Sequence, residues 1–121
     1  MKVLKTFTRL YVKNIDSALV FYEQLLNTKP SLRFTYPAAH LELAGIGDFL
    51  LLAGSEEALA SFRETKATCI VDSILEFRTH LLNQGSEIIR DIREVPTGKN
   101  MTIKHPDGTI IEYVEFKQEV K

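Results

Sequence analysis

The most constraining feature of this sequence is that one order of elements is written twice. Thr6 to Val12 (TFTRLYV) alternates, with Phe7, Arg9 and Tyr11 on one side and Thr8, Leu10 and Val12 on the other, the pattern of a strand with two different faces. Asn14 then offers a helix N-cap, and Ile15, Ala18, Leu19, Tyr22, Leu25 and Leu26 recur at helical spacing up to Asn27. Three strand-like runs follow, Ser31 to Tyr36, His40 to Leu43 and Phe49 to Ala53, punctuated by Pro37 and the turn sequence Gly45-Ile46-Gly47-Asp48. The pattern restarts with the apolar run Ala67 to Val71. Ser73 with Glu76 matches a capping box, and the stripe Ile74, Phe77, Leu81, Leu82 ends at Gly85. Three further strand candidates are Glu87 to Val95, Met101 to Lys104 and Thr109 to Phe116, the last two joined by His105-Pro106-Asp107-Gly108. Val12 and Ile15 correspond to Val71 and Ile74, each at an offset of 59 positions.

Each half therefore has one helix and about four strands, too little to cover both faces of its sheet, so the halves are expected to pack on each other or on a second chain. At 121 residues the chain has room for one domain, 1–121, read as module one at 6–54, a connector at 55–65 and module two at 66–116. The connector stretch SEEALASFRE opens with a capping serine and an acidic first turn, so a short helix is expected there. The fold class is α+β with paired βαβββ modules. A ferredoxin-like arrangement, with only two strands between its helices, would leave one run between 28 and 66 without a place.

Charge narrows the partners. Fifteen basic against sixteen acidic residues leave a formal charge of -1, so no nucleic acid partner and no anionic membrane surface is expected. The longest apolar run, Phe49 to Gly54, is too short to span a bilayer, and the alternating N-terminus does not resemble a signal peptide. The one cysteine, Cys69, has no internal disulfide partner and sits in no CxxC pair, which fits a reduced, cytoplasmic location.

The motif Val12-x-Asn14-Ile15-Asp16-x-x-x-x-Phe21-Tyr22, followed by Leu25-Leu26, resembles the first-module signature of the vicinal oxygen chelate superfamily, which holds glyoxalases, bleomycin-resistance proteins, fosfomycin-resistance enzymes and extradiol dioxygenases. His105-Pro106-Asp107-Gly108-Thr109-Ile110-Ile111-Glu112 resembles its closing turn and strand. The resemblance implies two βαβββ modules curled into an open, cup-shaped half-barrel with helices outside, and a homodimer. It also implies a divalent metal in catalytic members, held by four strand positions. Carried across, those positions fall on Phe7, Leu51, Lys66 and Glu112. Only Glu112 is a ligand type, and a tight divalent site needs three or more protein ligands, so neither a metal nor another cofactor is expected.

Strand alternation aims Glu112 into the cup, as a structural carboxylate, a ligand anchor or a general base. Arg9 and Lys66 are the cations aimed the same way, and one of them, Lys66 by preference, is expected to balance its charge. Phe7, Tyr11, Phe49, Leu51, Ile70, Met101 and Ile103 are expected to line a largely apolar pocket, with Thr68 as a neutral polar contact. His40 and Glu42 alternate onto one face without a third ligand in reach; His80 reads as a surface residue, and His105 as a turn residue bonding locally. Cys69 reads as an unreactive thiol on the helix side.

The expected function is thus a metal-free small-molecule-binding protein of the bleomycin-resistance type, holding an apolar or aromatic compound. Two alternatives stand beside it: a glyoxalase-like or dioxygenase-like metalloenzyme, and a metal-independent isomerase using Glu112 as base.

Overall fold

In the computed structural model, which describes residues 1–117, the chain forms eight strands and three α-helices: β1 (Val3–Val12), α1 (Ile15–Leu26), β2 (Leu32–Tyr36), β3 (Leu41–Ile46), β4 (Phe49–Ala53), α2 (Glu56–Leu59), β5 (Thr65–Val71), α3 (Ile74–Asn83), β6 (Glu87–Val95), β7 (Gly98–Lys104) and β8 (Ile110–Phe116). A single 3₁₀ turn, Pro37–Ala39, separates β2 from β3. The fold class read from the sequence, α+β with paired βαβββ modules, is the one observed. The chain divides into two compact units, residues 7–64 and residues 1–6 with the chain from Thr65 on. None of the described helices is long and apolar enough to cross a membrane.

In the first unit the strand order is β2-β3-β4-β1. β2–β3 and β3–β4 are antiparallel hairpins, while β4 returns parallel to β1 with Thr8 opposite Phe49, Leu10 opposite Leu51 and Val12 opposite Ala53. The Asn14 side chain accepts from the Ser17 amide at 2.9 Å and starts α1, and Asn27 ends it in the left-handed conformation (φ 51°) that asparagine tolerates better than most residues. Register partners point to the same side of a sheet. One side thus carries Leu10, Val12, Ala44, Ile46, Leu51 and Ala53, which pack with Ile15 and Leu19 of α1 into a core.

The second unit repeats the plan with the order β5-β8-β7-β6. β5 and β8 run parallel, with Thr68 opposite Glu112, Cys69 opposite Tyr113 and Ile70 opposite Val114. Ser73 caps α3 through a bond from the Glu76 amide (3.4 Å), and the Glu115 carboxylate accepts from the Ile74 amide (2.9 Å), so two of that helix's orphan donors are satisfied. The helix side of this sheet is Val71, Met101, Ile103, Ile111 and Tyr113, packed on Ile74 and Phe77. Pro96 and Thr97 link β6 to β7, and Gly98 then begins β7 at φ 151°; a Cβ there would meet the Glu115 carbonyl oxygen at 2.0 Å, so only glycine fits.

Candidate functional site

The sheet face away from α3 carries the chemistry of the second unit. Glu112 lies on it, half-buried, and its Oε1 accepts a hydrogen bond from the Thr68 hydroxyl at 3.3 Å; Thr68 itself is only 3% exposed. Following the register outward, Glu112 is opposite Thr102 of β7, and Thr102 is opposite Arg90 of β6. A row of four polar side chains, Thr68, Glu112, Thr102 and Arg90, therefore crosses four strands on one face. The Arg90 guanidinium donates to Asn100 Oδ1 (2.7 Å) and Thr102 Oγ1 (3.4 Å), and to the main-chain carbonyls of Asn100 (3.3 Å) and Asp91 (3.2 Å).

The equivalent face of the first unit carries Phe7, Arg9 and Tyr11 of β1, with Leu50 and Leu52 of β4 beside them in register. Phe7 is buried against Gly45, where a Cβ would come within 3.3 Å of its ring, so the bare glycine makes room for the aromatic. Arg9 is 8% exposed and donates to the Tyr11 hydroxyl at 3.5 Å; that hydroxyl in turn donates to the Phe62 carbonyl. The Arg63 guanidinium stacks over the Tyr11 ring, 5.5 Å from its centroid.

Several expected positions lie elsewhere. Phe49 and Leu51 face α1, Phe49 through a ring contact with Tyr22 (5.5 Å between centroids), because parallel pairing with Thr8 and Leu10 sets them on the helix side. Their neighbours Leu50 and Leu52 take the opposite face. Met101 and Ile103 are fully buried beneath α3, since antiparallel pairing with Tyr113 and Ile111 sets them on the side away from Glu112. Lys66 is the extra residue of a β-bulge between Thr65 and Ala67; it is exposed, makes no ion pair among the described residues, and does not balance Glu112. Thr65, opposite Ile110, takes the buried place instead.

His40 is exposed and closes the 3₁₀ turn in the left-handed conformation (φ 56°); His80 is exposed on α3. His105 bonds locally, its Nε2 lying 2.6 Å from the Tyr113 hydroxyl. Burial pushes the Tyr113 phenol up to about 12 and the Cys69 thiol above its ordinary value, a hydrogen bond with Thr6 (3.9 Å) opposing the latter, so the thiol is held protonated rather than reactive.

The donor set does not suit a divalent ion. Among the described residues no group of three or more histidine, cysteine, aspartate or glutamate side chains is placed to hold one. At the positions where the resemblance implies ligands stand Phe7, Leu51, Lys66 and Glu112, of which only Glu112 carries a metal-binding side chain.

Arg90, Arg93, Asn100 and Thr102 were not among the candidates from sequence. Their alternation is broken by bulges in β6, and the string Arg90-Asp91-Ile92-Arg93 carries no mark of which side each residue takes.

The architecture is the fold of vicinal oxygen chelate proteins. Within it, the chain belongs to one family with a Methanosarcina mazei protein crystallised as an uncharacterized protein: the two are 51% identical, with a TM-score of 0.94 over 100% of this chain and 98% of that one. It is also similar in fold to methylmalonyl-CoA epimerase from Mycobacterium tuberculosis (19% identity, TM-score 0.75, covering 96% of this chain and 90% of that one). A Streptomyces coelicolor methylmalonyl-CoA epimerase in complex with 2-nitronate-propionyl-CoA is similar as well (13% identity, TM-score 0.72, covering 97% and 100%). No family model matches the chain, and no curated protein matches it.

Proposed function

We propose that this protein is an isomerase that moves a proton at a carbon next to a carbonyl, with Glu112 as the group that takes it. The carrying observation is the Thr68–Glu112 pair: a half-buried carboxylate held by a hydroxyl at 3.3 Å, on a face that also carries Thr102 and Arg90. In the forward step the substrate C–H bond breaks, the proton passes to Glu112, and the electron pair moves onto the carbonyl oxygen as an enolate. In the return step a solvent proton reaches the opposite face of that carbon, the carbonyl re-forms, and Glu112 releases its proton to solvent; a proton handed back by Glu112 to the same face regenerates the starting isomer and is seen only as exchange. The Thr68 hydroxyl keeps Oε1 in place. No step is routed through a metal, because the donor set does not fit one. Two of the similar folds are named as methylmalonyl-CoA epimerases, which supports the reading.

The test is isotope exchange. Protein treated with a chelator is incubated with methylmalonyl-CoA in D₂O, and loss of the α-proton signal is followed by NMR. Exchange above the buffer rate, abolished by Glu112→Gln, is expected; absence of exchange in the wild type overturns the reading. A ligand-sequestering role of the bleomycin-resistance type is favoured by one observation, the apolar wall of Phe7, Leu50 and Leu52. Under that reading planar aromatic compounds raise the Tm while no proton exchange occurs.

A further inference from the structure

The face that carries Glu112 changes character along its strands. Its first row is polar: Thr68, Glu112, Thr102 and Arg90. Two residues further along, Ile70 is opposite Val114, and both are buried. Two residues beyond Val114, Phe116 is opposite Gly98, which is in turn opposite Val95. Residues two and four apart on a strand share a side, so this apolar end lies on the same face as Glu112.

The surface is hollow there. A cavity of about 470 Å³ is lined by Leu4, Ile70, Val95, Gly98 and Phe116, all of the second unit, and its size lies within the roughly 300–1,000 Å³ of small-molecule sites. Leu4 and Phe116 are 57% and 40% exposed, so two large apolar side chains border the cavity with surface still open to water. Covering that surface with an apolar group is favourable. Gly98 contributes main chain alone, and its backbone admits no Cβ, so this part of the wall stays free of side chain.

The charged groups around the cavity do not select an anion. Lys99 stands in register between Glu94 and Glu115, and Glu115 also accepts from the Ile74 amide. Asp72 accepts from the Lys2 amide at 2.8 Å and lies 3.7 Å from the N-terminal ammonium. With Lys117 added, two lysines face three carboxylates, which leaves no excess of positive charge to hold a carboxylate or phosphate.

We propose that this cavity holds an uncharged alkyl or aryl group of the molecule on which Glu112 acts. The inference rests on the reading of Glu112 as the proton acceptor. Strands advance about 3.3 Å per residue, so Ile70 lies roughly 7 Å beyond Thr68, and Phe116 roughly 13 Å beyond Glu112. The substrate is thus a carbonyl compound with an apolar arm that runs along the strands, away from the polar row, and the site selects by the length of that arm.

Binding, rather than turnover, tests this. Butanol, hexanol and hexanoate are titrated into isotopically labelled full-length protein and followed by amide NMR shifts. Shifts are expected at Ile70, Val95, Gly98 and Phe116, with affinity rising roughly three- to fourfold per added methylene and hexanoate binding more weakly than hexanol. Leu4→Ser and Phe116→Ser, both at exposed positions, are each expected to weaken hexanol binding roughly five- to tenfold with the fold intact. Affinity that does not rise with chain length, shifts confined to other residues, hexanoate binding tighter than hexanol, or hexanol affinity unchanged in either serine variant overturns the assignment. Glu112→Gln should bind hexanol as wild type does. If hexanol binds as expected while wild type shows no α-proton exchange, the apolar site stands and the role given to Glu112 falls. If exchange proceeds and hexanol does not bind, the cavity assignment falls alone.

Discussion

The Thr68 hydroxyl donates a 3.3 Å hydrogen bond to Oε1 of Glu112, its register partner across the parallel β5–β8 pair. Parallel neighbours in register share a face, so this bond follows from the pairing itself and not from a flexible loop. A carboxylate positioned from a strand keeps its angle to a bound substrate, which matters because misplacement of reacting groups by an ångström costs rate steeply.

Thr68→Val keeps the shape of a 3%-exposed residue and deletes the donor. Hydrogen bonds to charged groups contribute about 1.5–3 kcal/mol, so the α-proton exchange rate should fall by roughly 10- to 100-fold. Thr68→Ser, which retains the hydroxyl, should keep most of the wild-type rate. Comparing kcat with KM for the two variants shows whether the bond acts on the proton-transfer step or only on binding.

Leu51 has no exposed surface and packs with Leu19 of α1 in the first unit's core. Leu51→Ala is expected to destabilise the protein by about 2–5 kcal/mol through the cavity it leaves, read from urea unfolding. Met101→Ala, beneath α3, should do the same. α-Proton exchange measured below the unfolding transition should be unchanged in both, because Leu51 packs against α1 and Met101 against α3.

That contrast also shows which parts of the structure were legible in the sequence. The twin modules, both capped helices and the outward face of Glu112 follow from residues whose chemistry names their place: Asn14, Ser73 and the Pro106–Gly108 turn. β4, by contrast, reads FLLLA, apolar on both faces, so alternation offered no parity and Leu51 was expected where Leu50 and Leu52 are found. β7 misled in the same way through Met101 and Ile103, whose side is set by pairing with Tyr113 and Ile111. The bulges at Lys66 and around Arg90 displace polar residues by one position, a backbone event with no signature in side-chain type. The side taken by Arg90 and Arg93 was hidden for that reason.

Asp91 is held down to about 2, first by the Arg78 guanidinium and then by the Ile92 amide. Its folded-state pKa lies below its ordinary 3.8, so its contribution to stability is present above about pH 4 and is lost as pH falls toward 2. Unfolding measured from neutral to acid pH should show a steeper loss in wild type than in Asp91→Asn across that window. The carboxylate is exposed, so the difference should be small and should shrink with added salt.

Tyr113 is buried beneath α3, with its hydroxyl 2.6 Å from His105 Nε2, and burial lifts its phenol to about 12. The folded state thus holds this proton more tightly than the unfolded chain, whose phenols titrate near 10. Its contribution to stability is complete below pH 10 and is lost as pH rises through 12. An ultraviolet titration should show a tyrosinate signal that emerges only as the protein nears pH 12, and Tyr113→Phe should remove it. Tyr113→Phe should also flatten the fall in stability between pH 10 and 12, at the cost of about 1 kcal/mol at neutral pH from the lost hydrogen bond. An early tyrosinate signal that is absent from Tyr113→Phe would show instead that water reaches the phenol, and that the β8 strand opens on its helix side.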